Sequence, residues 1–401
     1  MDSVRDLITD ENEIRSLLVS GSPLLDVRSP VEFEKGSLPG AINIPVLNDD
    51  ERKLVGTTYK ELGPEKAIEL GRELVSGVAL ESRLAAWSAF VKANPNGAVY
   101  CFRGGMRSQS VQTVLREQGH KVRLVAGGFK RVRSLMMQWL DQYTNSSRLV
   151  VISGYTGAGK TEFLTRISSE GFNSPKLASE LGKCHTPDFQ PPGFQLPGRE
   201  AAKFQTIDLE HLARHRGSAF GGMKDHQPSQ VDFENALSLA VLRLPRPEGL
   251  TLVEDESLKV GRLDIPRPFF RKMSAAPLYV IEKPARERAK HLITTYLGDN
   301  DLIHNADPAK LEELRSTLLK NLSPLTPRLG GVLTRELVGK MHEAIEEQLR
   351  GGSWVGHIEW VEDLLVKYYD PYYFRHLEKN RERVVFRGSE EELIEALVNI
   401  C

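Results

Sequence analysis

The run Gly154-Tyr155-Thr156-Gly157-Ala158-Gly159-Lys160-Thr161 constrains this chain more than any other feature. It fits G-x-x-x-x-G-K-[ST], follows the β-branched run Arg148-Leu149-Val150-Val151-Ile152-Ser153, and precedes a helical pattern carrying Phe163, Leu164 and Ile167. Strand, glycine-rich turn and helix in that order predict a phosphate-binding loop. Glycine at 154, 157 and 159 lets backbone N–H groups wrap a polyphosphate, Lys160 supplies a point charge, and the Thr161 hydroxyl suits Mg²⁺. The loop specifies a polyphosphate and not which one, since a nucleotide and an isoprenyl diphosphate present the same group to it. A metal-facing acid usually ends a neighbouring strand, and Leu252-Val253-Glu254-Asp255-Glu256-Ser257 supplies candidates. Asp255 is the choice for a Mg²⁺ ion, with Glu254 and Glu256 as alternatives; no other metal site is assigned.

A chain of 401 residues predicts two or three domains. Through residues 1–135 short apolar runs alternate with helical patterns: Pro23–Arg28, Ala41–Pro45, Gly97–Cys101 and Val122–Val125 read as strands, and 60–93 as helix. The polar segment Gln142–Ser147 marks a boundary. After the phosphate loop the alternation restarts, with helices near 160–170, 208–215 and 230–243 and strands at Leu250–Glu254 and Pro277–Ile281. Beyond about residue 285 helical patterns dominate, notably 309–320, 333–350 and 354–369. The composition, 40% hydrophobic and 27% charged with a net charge of −1, is that of a globular protein, so any nucleic-acid site must be a local patch. Cys101, Cys184 and Cys401, odd in number and far apart, argue against a disulfide framework and for a reducing compartment. The charged start Met1-Asp2-Ser3-Val4-Arg5-Asp6 and the lack of a long apolar run predict a soluble cytoplasmic protein with no membrane partner.

Cys101 follows Ala98-Val99-Tyr100 and opens Phe102-Arg103-Gly104-Gly105-Met106-Arg107-Ser108, after which Val111, Val114 and Leu115 continue as a helix. A cysteine between a parallel strand and a helix start meets free N–H groups and the positive end of the helix dipole, conditions that favour a thiolate. Arg103 and Arg107 add permanent positive charge, and the paired glycines let the backbone curl into an anion nest. The expectation is a nucleophile beside an oxyanion cradle, with Cys101, Arg103 and Arg107 as catalytic residues. An inert buried cysteine at a strand end is the bland alternative.

Cys101, Arg107 and Ser108 satisfy the Cys-x5-Arg-[Ser/Thr] pattern of cysteine-based phosphatases. The upstream segments Leu24–Phe33 and Gly36–Pro45 closely resemble the two N-terminal signatures of the rhodanese sulfurtransferases, and Tyr100 stands where the phosphatase pattern has histidine. A rhodanese-like domain followed by a P-loop domain, with Ile207–Ala213, His215–Gly221 and Tyr368-Tyr369-Asp370-Pro371-Tyr372-Tyr373, resembles the bacterial tRNA 2-selenouridine synthases over nearly the whole chain. The resemblance implies an α/β protein in three parts: a rhodanese-like parallel-sheet domain at 1–141, a P-loop NTPase-like α/β domain at 142–290, and a mainly helical C-terminal region at 291–401. It implies an enzyme that converts wobble 2-thiouridine of tRNA to 2-selenouridine, with selenophosphate and geranyl diphosphate as co-substrates and an S-geranylated intermediate. In that scheme Cys101 attacks selenophosphate and carries the selenium, Arg103 and Arg107 hold the departing anion, and Gly154, Gly157, Gly159, Lys160 and Thr161 grip diphosphate. The tRNA anticodon loop and a selenium donor system are the implied partners of an otherwise monomeric protein. The competing readings are a cysteine-dependent sulfurtransferase or phosphatase fused to a nucleotide-binding domain, and a non-catalytic docking module gated by nucleotide.

Other candidates carry weaker signals. Cys184-His185 has no second Cys/His pair at zinc spacing and reads as structural, and Cys401 is the last residue. His211 and His215 lie four apart on a predicted helix without a third ligand. Trp354, Trp360, Tyr368, Tyr369, Tyr372, Tyr373 and Phe374 could stack on unpaired bases, but their spacing favours core packing. The basic run Arg262, Arg267, Arg271, Lys272, Lys283, Arg286, Arg288 and Lys290 reads either as solvated surface or as phosphate contacts.

Overall fold

Both series of strands form parallel sheets, each five strands wide. The computed structural model describes residues 6–170, 204–215, 226–245, 249–299, 302–303, 307–351 and 353–400. They divide into two compact units: one holds Met1–Ser146 with Gln227–Pro247 and Leu263–Pro266, the other Ser147–His226, Glu248–Arg262 and Arg267–Cys401.

In the first unit β1 (Leu7–Ile8), β2 (Leu24–Asp26), β3 (Ala41–Asn43), β4 (Ala98–Tyr100) and β5 (Arg123–Val125) lie in the order β1-β5-β4-β2-β3. β2 pairs β4 with Asp26 opposite Tyr100, so the C-terminal ends of the two strands are level. Leu25, Val99 and Leu124 on the three central strands are fully buried, as expected where helices cover a parallel sheet. The helix predicted at 60–93 is three helices, Asp49–Leu62, Pro64–Leu74 and Gly77–Ala93. Gly63, at φ +87°, and Pro64 at the first helical position separate the first two.

The chain order misplaces one element. Helix Gln230–Leu242, expected in the P-loop domain, belongs to the first unit, where it lies along helix Gly128–Ser146. Arg133 donates to Asn235 Oδ1 at 2.7 Å and pairs with Glu234, Ser238 Oγ donates to the Met136 carbonyl at 2.6 Å, and the Ser37 N–H donates to Asp232 at 2.7 Å. Leu239 completes the core on that side.

In the second unit β6 (Arg148–Gly154), β7 (Gln205–Ile207), β8 (Leu250–Glu254), β9 (Leu278–Ile281) and β10 (Val384–Gly388) lie in the order β10-β9-β6-β8-β7. β6 is central, and its register with β8 sets Ile152 opposite Glu254, which brings the Glu254–Glu256 corner beside the start of the phosphate loop. Helices Ala285–Asp299, Pro308–Leu322, Gly331–Gly351 and His357–Leu364 bury a shared core that includes Leu297, Leu311, Leu318, Met341 and Trp360. The C-terminal region is therefore largely helical, yet it is not a separate layer, because β10 returns to form the edge of the P-loop sheet. Among the described residues no single helix is long and apolar enough to cross a membrane.

Candidate functional site

β4 is buried throughout and delivers Cys101, 3% exposed, at its C-terminal end. The chain turns through Phe102–Gly105 and enters helix Met106–Glu117, whose first N–H groups have no intrahelical acceptor and remain available to an anion. A second glycine pair, Gly127-Gly128, locks this loop from behind. The Phe129 N–H donates to the Cys101 carbonyl at 2.9 Å and the Lys130 N–H to the Phe102 carbonyl at 3.0 Å. Gly128 sits at φ +57°, and a Cβ there would stand 2.1 Å from the Cys101 carbonyl oxygen, so only glycine fits. Ser108, buried one turn into the helix, places its hydroxyl 3.1 Å from both Cys101 Sγ and the Gly105 carbonyl, either of which can accept its proton.

The arginines of this loop differ in their engagement. Arg103 is exposed, its guanidinium 6.0 Å from the Phe102 ring. Arg107 is bound to Glu32 through Nη1 at 2.6 Å and Nη2 at 3.3 Å, and Arg52 Nε reaches the same carboxylate at 2.8 Å. Burial works to raise Glu32, but the two guanidiniums outweigh it and hold the carboxyl at about 2. Asp26 and Arg28 of the rhodanese-like signature form a buried strut. Arg28 Nη2 lies 2.6 Å from Asp26 Oδ2 and 2.9 Å from the Gly36 carbonyl, with its guanidinium 4.1 Å from the Phe129 ring centroid. One side chain thus joins the end of β2, the following loop and the turn beneath Cys101. Desolvation opposes its charge, and Asp26 overcomes that to leave the Arg28 pKa raised.

The second constellation is the phosphate loop. Gly157, at φ +82°, packs so closely that a Cβ would meet Leu292 at 2.9 Å and the Arg288 carbonyl at 3.0 Å. Lys160 Nζ donates to the Gly154 carbonyl at 3.1 Å and lies 3.4 Å from the Tyr373 hydroxyl and 5.3 Å from its ring centroid. Burial disfavours the Lys160 charge, but Tyr373, Glu210, Glu256 and Glu254 outweigh it and raise its pKa. Thr161 Oγ1 donates to Glu210 at 3.0 Å, and the Glu210 N–H donates to Glu254 at 3.2 Å. Burial first, then Glu210 and Asp208, push Glu254 well above the usual carboxylate range. Burial and Glu210 likewise lift Glu256 to about 8. Asp255 is turned elsewhere: its Oδ2 accepts from Ser153 at 2.6 Å and meets His376 at 3.0 Å. Burial would raise Asp255, and contacts with His376, Ser153 and Lys160 bring it below its ordinary value.

Helix Asp370–Lys379 holds this loop along one face. Asp370, Tyr373 and His376, three residues apart, address Arg288, Lys160 and Asp255 respectively. Asp370 binds Arg288 in bidentate fashion at 2.9 and 2.7 Å, and Arg288 in turn donates to the Thr156 carbonyl at 3.0 Å inside the phosphate loop. A five-residue π-helical turn, Leu365–Tyr369, precedes this helix, a distortion frequently found at functional sites. The loop opens on a cavity of about 340 Å³ whose lining includes Lys160, Thr161, Glu210, Glu256, Leu292 and Tyr296.

The structure brings Gly154, Gly157, Gly159, Lys160 and Thr161 together as expected for a phosphate loop. It places Glu210 rather than Asp255 against Thr161. Among the described residues no group of three or more His, Cys, Asp or Glu side chains is arranged to hold a metal ion. The donors that fit a Mg²⁺ beside a bound phosphate are the Thr161 hydroxyl, Glu210, and Glu254, whose buried Oε1 has no hydrogen-bond partner. His211 lines the cavity, but the helix predicted to carry both histidines ends at Ala213, where Arg214 adopts φ +48°, so His215 leaves that face. Of the aromatic set Trp360 is core, Trp354, Tyr368 and Tyr369 pack against it, Tyr373 lines the cavity, and Tyr372 and Phe374 are exposed. Within the basic run Arg288 is the buried member. Cys184 and Cys401 lie outside the described residues. The sequence offered Glu210 and Asp370 only as part of a resemblance, Tyr373 also as one of a set of aromatics, and Ser108 only as the last position of the phosphatase pattern, and it gave no role to Gly128 or His376; the Gly127-Gly128 pair after β5 was the one local signal available for Gly128.

Two family models match this chain. Residues 3–135 match the rhodanese-like domain family, and residues 200–400 match a family described as the tRNA 2-selenouridine synthase AAA domain. The tRNA 2-selenouridine synthase of Shewanella denitrificans is 36% identical over 391 residues, covering 96% of each chain. Those of Hahella chejuensis and Bdellovibrio bacteriovorus are 38% identical over 94% of this chain and 92% of that one, and 37% identical over 95% and 96%.

Proposed function

The chain belongs to the tRNA 2-selenouridine synthase family, and on that premise we propose that it is a tRNA-modifying enzyme that exchanges the sulfur of a wobble 2-thiouridine for selenium. Selenium comes from selenophosphate, and the reaction passes through an S-geranyl-2-thiouridine made with geranyl diphosphate. The observation that carries this reading is a phosphate loop opening on a cavity whose lining includes Leu292 and Tyr296 beside Lys160 and Thr161, groups that suit a diphosphate bearing a short hydrocarbon chain.

In the first step the thiocarbonyl sulfur attacks C1 of the geranyl group, the C–O bond breaks, and diphosphate stays with Lys160 and the loop amides. The Thr161 hydroxyl, Glu210 and Glu254 would hold a Mg²⁺ ion, which would supply charge neutralisation for that diphosphate. Alkylation turns the sulfur into a leaving group. In the second step selenium, mobilised at Cys101, forms a bond to C2 of the uridine while the C–S bond breaks and geranyl thiol departs. Arg103, Arg107 and the first-turn amides of helix Met106–Glu117 hold the anionic donor. The partners are the anticodon loop and the system that delivers selenophosphate.

The test is mass spectrometry of nucleosides from 2-thiouridine-containing tRNA incubated with the protein, omitting each donor in turn. 2-Selenouridine is expected only with both donors, and S-geranyl-2-thiouridine without selenophosphate. Cys101→Ser is expected to stop selenium incorporation and leave geranylation, and Lys160→Ala to stop geranylation. A Cys101→Ser protein that no longer geranylates, or a Lys160→Ala protein that cannot selenate tRNA already carrying S-geranyl-2-thiouridine, refutes the division of labour, and an unchanged nucleoside profile refutes the activity.

A further inference from the structure

Bond formation at a trigonal carbon comes from above its plane, so selenium mobilised at Cys101 reaches C2 of the uridine only across the face of the base. The base must therefore lie flat over the cysteine, and a group beside Cys101 must hold it there. We propose, resting on the reading that selenium passes from Cys101 to C2, that the unpaired wobble base stacks offset on the Phe102 ring, with C5 and C6 over the phenyl and C2 over the sulfur. Phe102 thereby sets the distance between the nucleoside and the cysteine.

The loop is shaped for such a contact. Cys101 is 3% exposed and recessed, whereas Phe102, the next residue, is 36% exposed. Beneath that ring a stack is already built. The buried Phe129 ring lies 6.2 Å from Phe102, centroid to centroid, with 28° between the planes, and the buried Arg28 guanidinium lies 4.1 Å from the Phe129 centroid. Guanidinium, ring and ring thus follow one another from the interior outward, and unpaired RNA bases stack on surfaces of this kind. The Lys130 N–H donates to the Phe102 carbonyl at 3.0 Å and the Phe129 N–H to the Cys101 carbonyl at 2.9 Å, so the same two bonds fix the platform and the sulfur. Met106, an exposed side chain, follows Gly105, whose carbonyl lies 3.9 Å from Cys101 Sγ, and gives the recessed sulfur a second apolar neighbour. Among the described residues Arg103 has no ion-pair partner, so its guanidinium, 6.0 Å from the Phe102 centroid, yields to a base without breaking a salt bridge.

The experiment supplies the full-length protein with selenophosphate and tRNA already carrying S-geranyl-2-thiouridine, and follows 2-selenouridine by nucleoside mass spectrometry. Phe102→Leu is expected to lower kcat/KM for tRNA about tenfold, the effect of losing one base-on-aromatic stack, while Phe102→Trp keeps the wild-type value. Geranylation, the KM for selenophosphate and the melting temperature should not move. A second measurement needs no variant and decides the question even if the leucine protein folds poorly: an anticodon stem-loop with 5-iodouridine at the wobble position, irradiated on the wild-type protein, should cross-link to the peptide containing Phe102. Wild-type kinetics in Phe102→Leu, which an apolar contact with the prenyl chain would give, overturns the inference. So does an equal loss in the leucine and tryptophan variants, a parallel loss of geranylation in a variant that melts normally, or a cross-link confined to other peptides. Each of these leaves the selenation reading standing, whereas a wild type that never selenates tRNA overturns both.

Discussion

Replacing Asp370 by Asn removes the charge that holds a buried guanidinium against the phosphate loop. Arg288 is 3% exposed and has Asp370 as its bidentate partner at 2.9 and 2.7 Å, while its remaining bonds go to the Thr156 and Lys283 carbonyls. Removing one member of a buried ion pair costs about 3–5 kcal/mol. Asn keeps one acceptor oxygen and the Asp370 side chain is 22% exposed, so the cost falls to roughly 2–3 kcal/mol. For a unit of this size that predicts a lower melting temperature by roughly 4–12 °C. Calorimetry of the full chain should show the loss in one transition, and titration with inorganic diphosphate should show weaker binding, because the Thr156 carbonyl loses its anchor. Glu282→Gln, in a solvent-facing pair with Arg387, is the control and should leave both unchanged. An Asp370→Asn protein that melts with the wild type and binds diphosphate equally would refute the claim that this pair sets the loop.

Three further outcomes follow from the geometry. Gly128→Ala places a methyl 2.1 Å from the Cys101 carbonyl at φ +57°, which should cost about 2–4 kcal/mol; an unaltered melt of the first unit would contradict it. Glu32 is depressed to about 2, so its ion pairs stabilise the fold above the ordinary carboxyl pKa and that contribution is lost as pH falls toward 2. Glu32→Gln should flatten the acid limb of the stability curve between about pH 4.5 and 2, and a curve of unchanged shape would show that Glu32 does not titrate there. Glu256 is raised to about 8, the opposite sign: the folded state favours its proton, and stability is lost as pH rises through that value. Glu256→Gln should make the second unit relatively more stable at alkaline than at acid pH, compared with wild type, and an identical pH profile would refute that assignment.

Both reactive loops were legible in the sequence because everything that names them is local. A cysteine five residues before an arginine, or glycines at fixed offsets before Lys160, reports what a short backbone turn can bind whatever surrounds it. Strand length did not decide what was legible: β2 to β5, three residues each, stand inside longer apolar runs that the sequence shows, whereas β1, β7 and the five-residue β10 went unread. What holds the loops was not legible. Arg288 sits in a run of cations and reads as solvated surface until Asp370, 82 positions away, is beside it. Helix Gln230–Leu242 reads as one more element of the P-loop domain, yet Asp232 and Asn235 bind Ser37, about 200 positions away, and Ser238 binds Met136, 102 positions away. A motif specifies the chemistry of which a loop is capable, and residues outside it decide whether the loop is kept in the shape that performs it. Family membership here constrains more than the loops for that reason: the glycine pair under Cys101 and the Asp370–Tyr373–His376 face are as necessary to the two sites as the cysteine and the lysine they support.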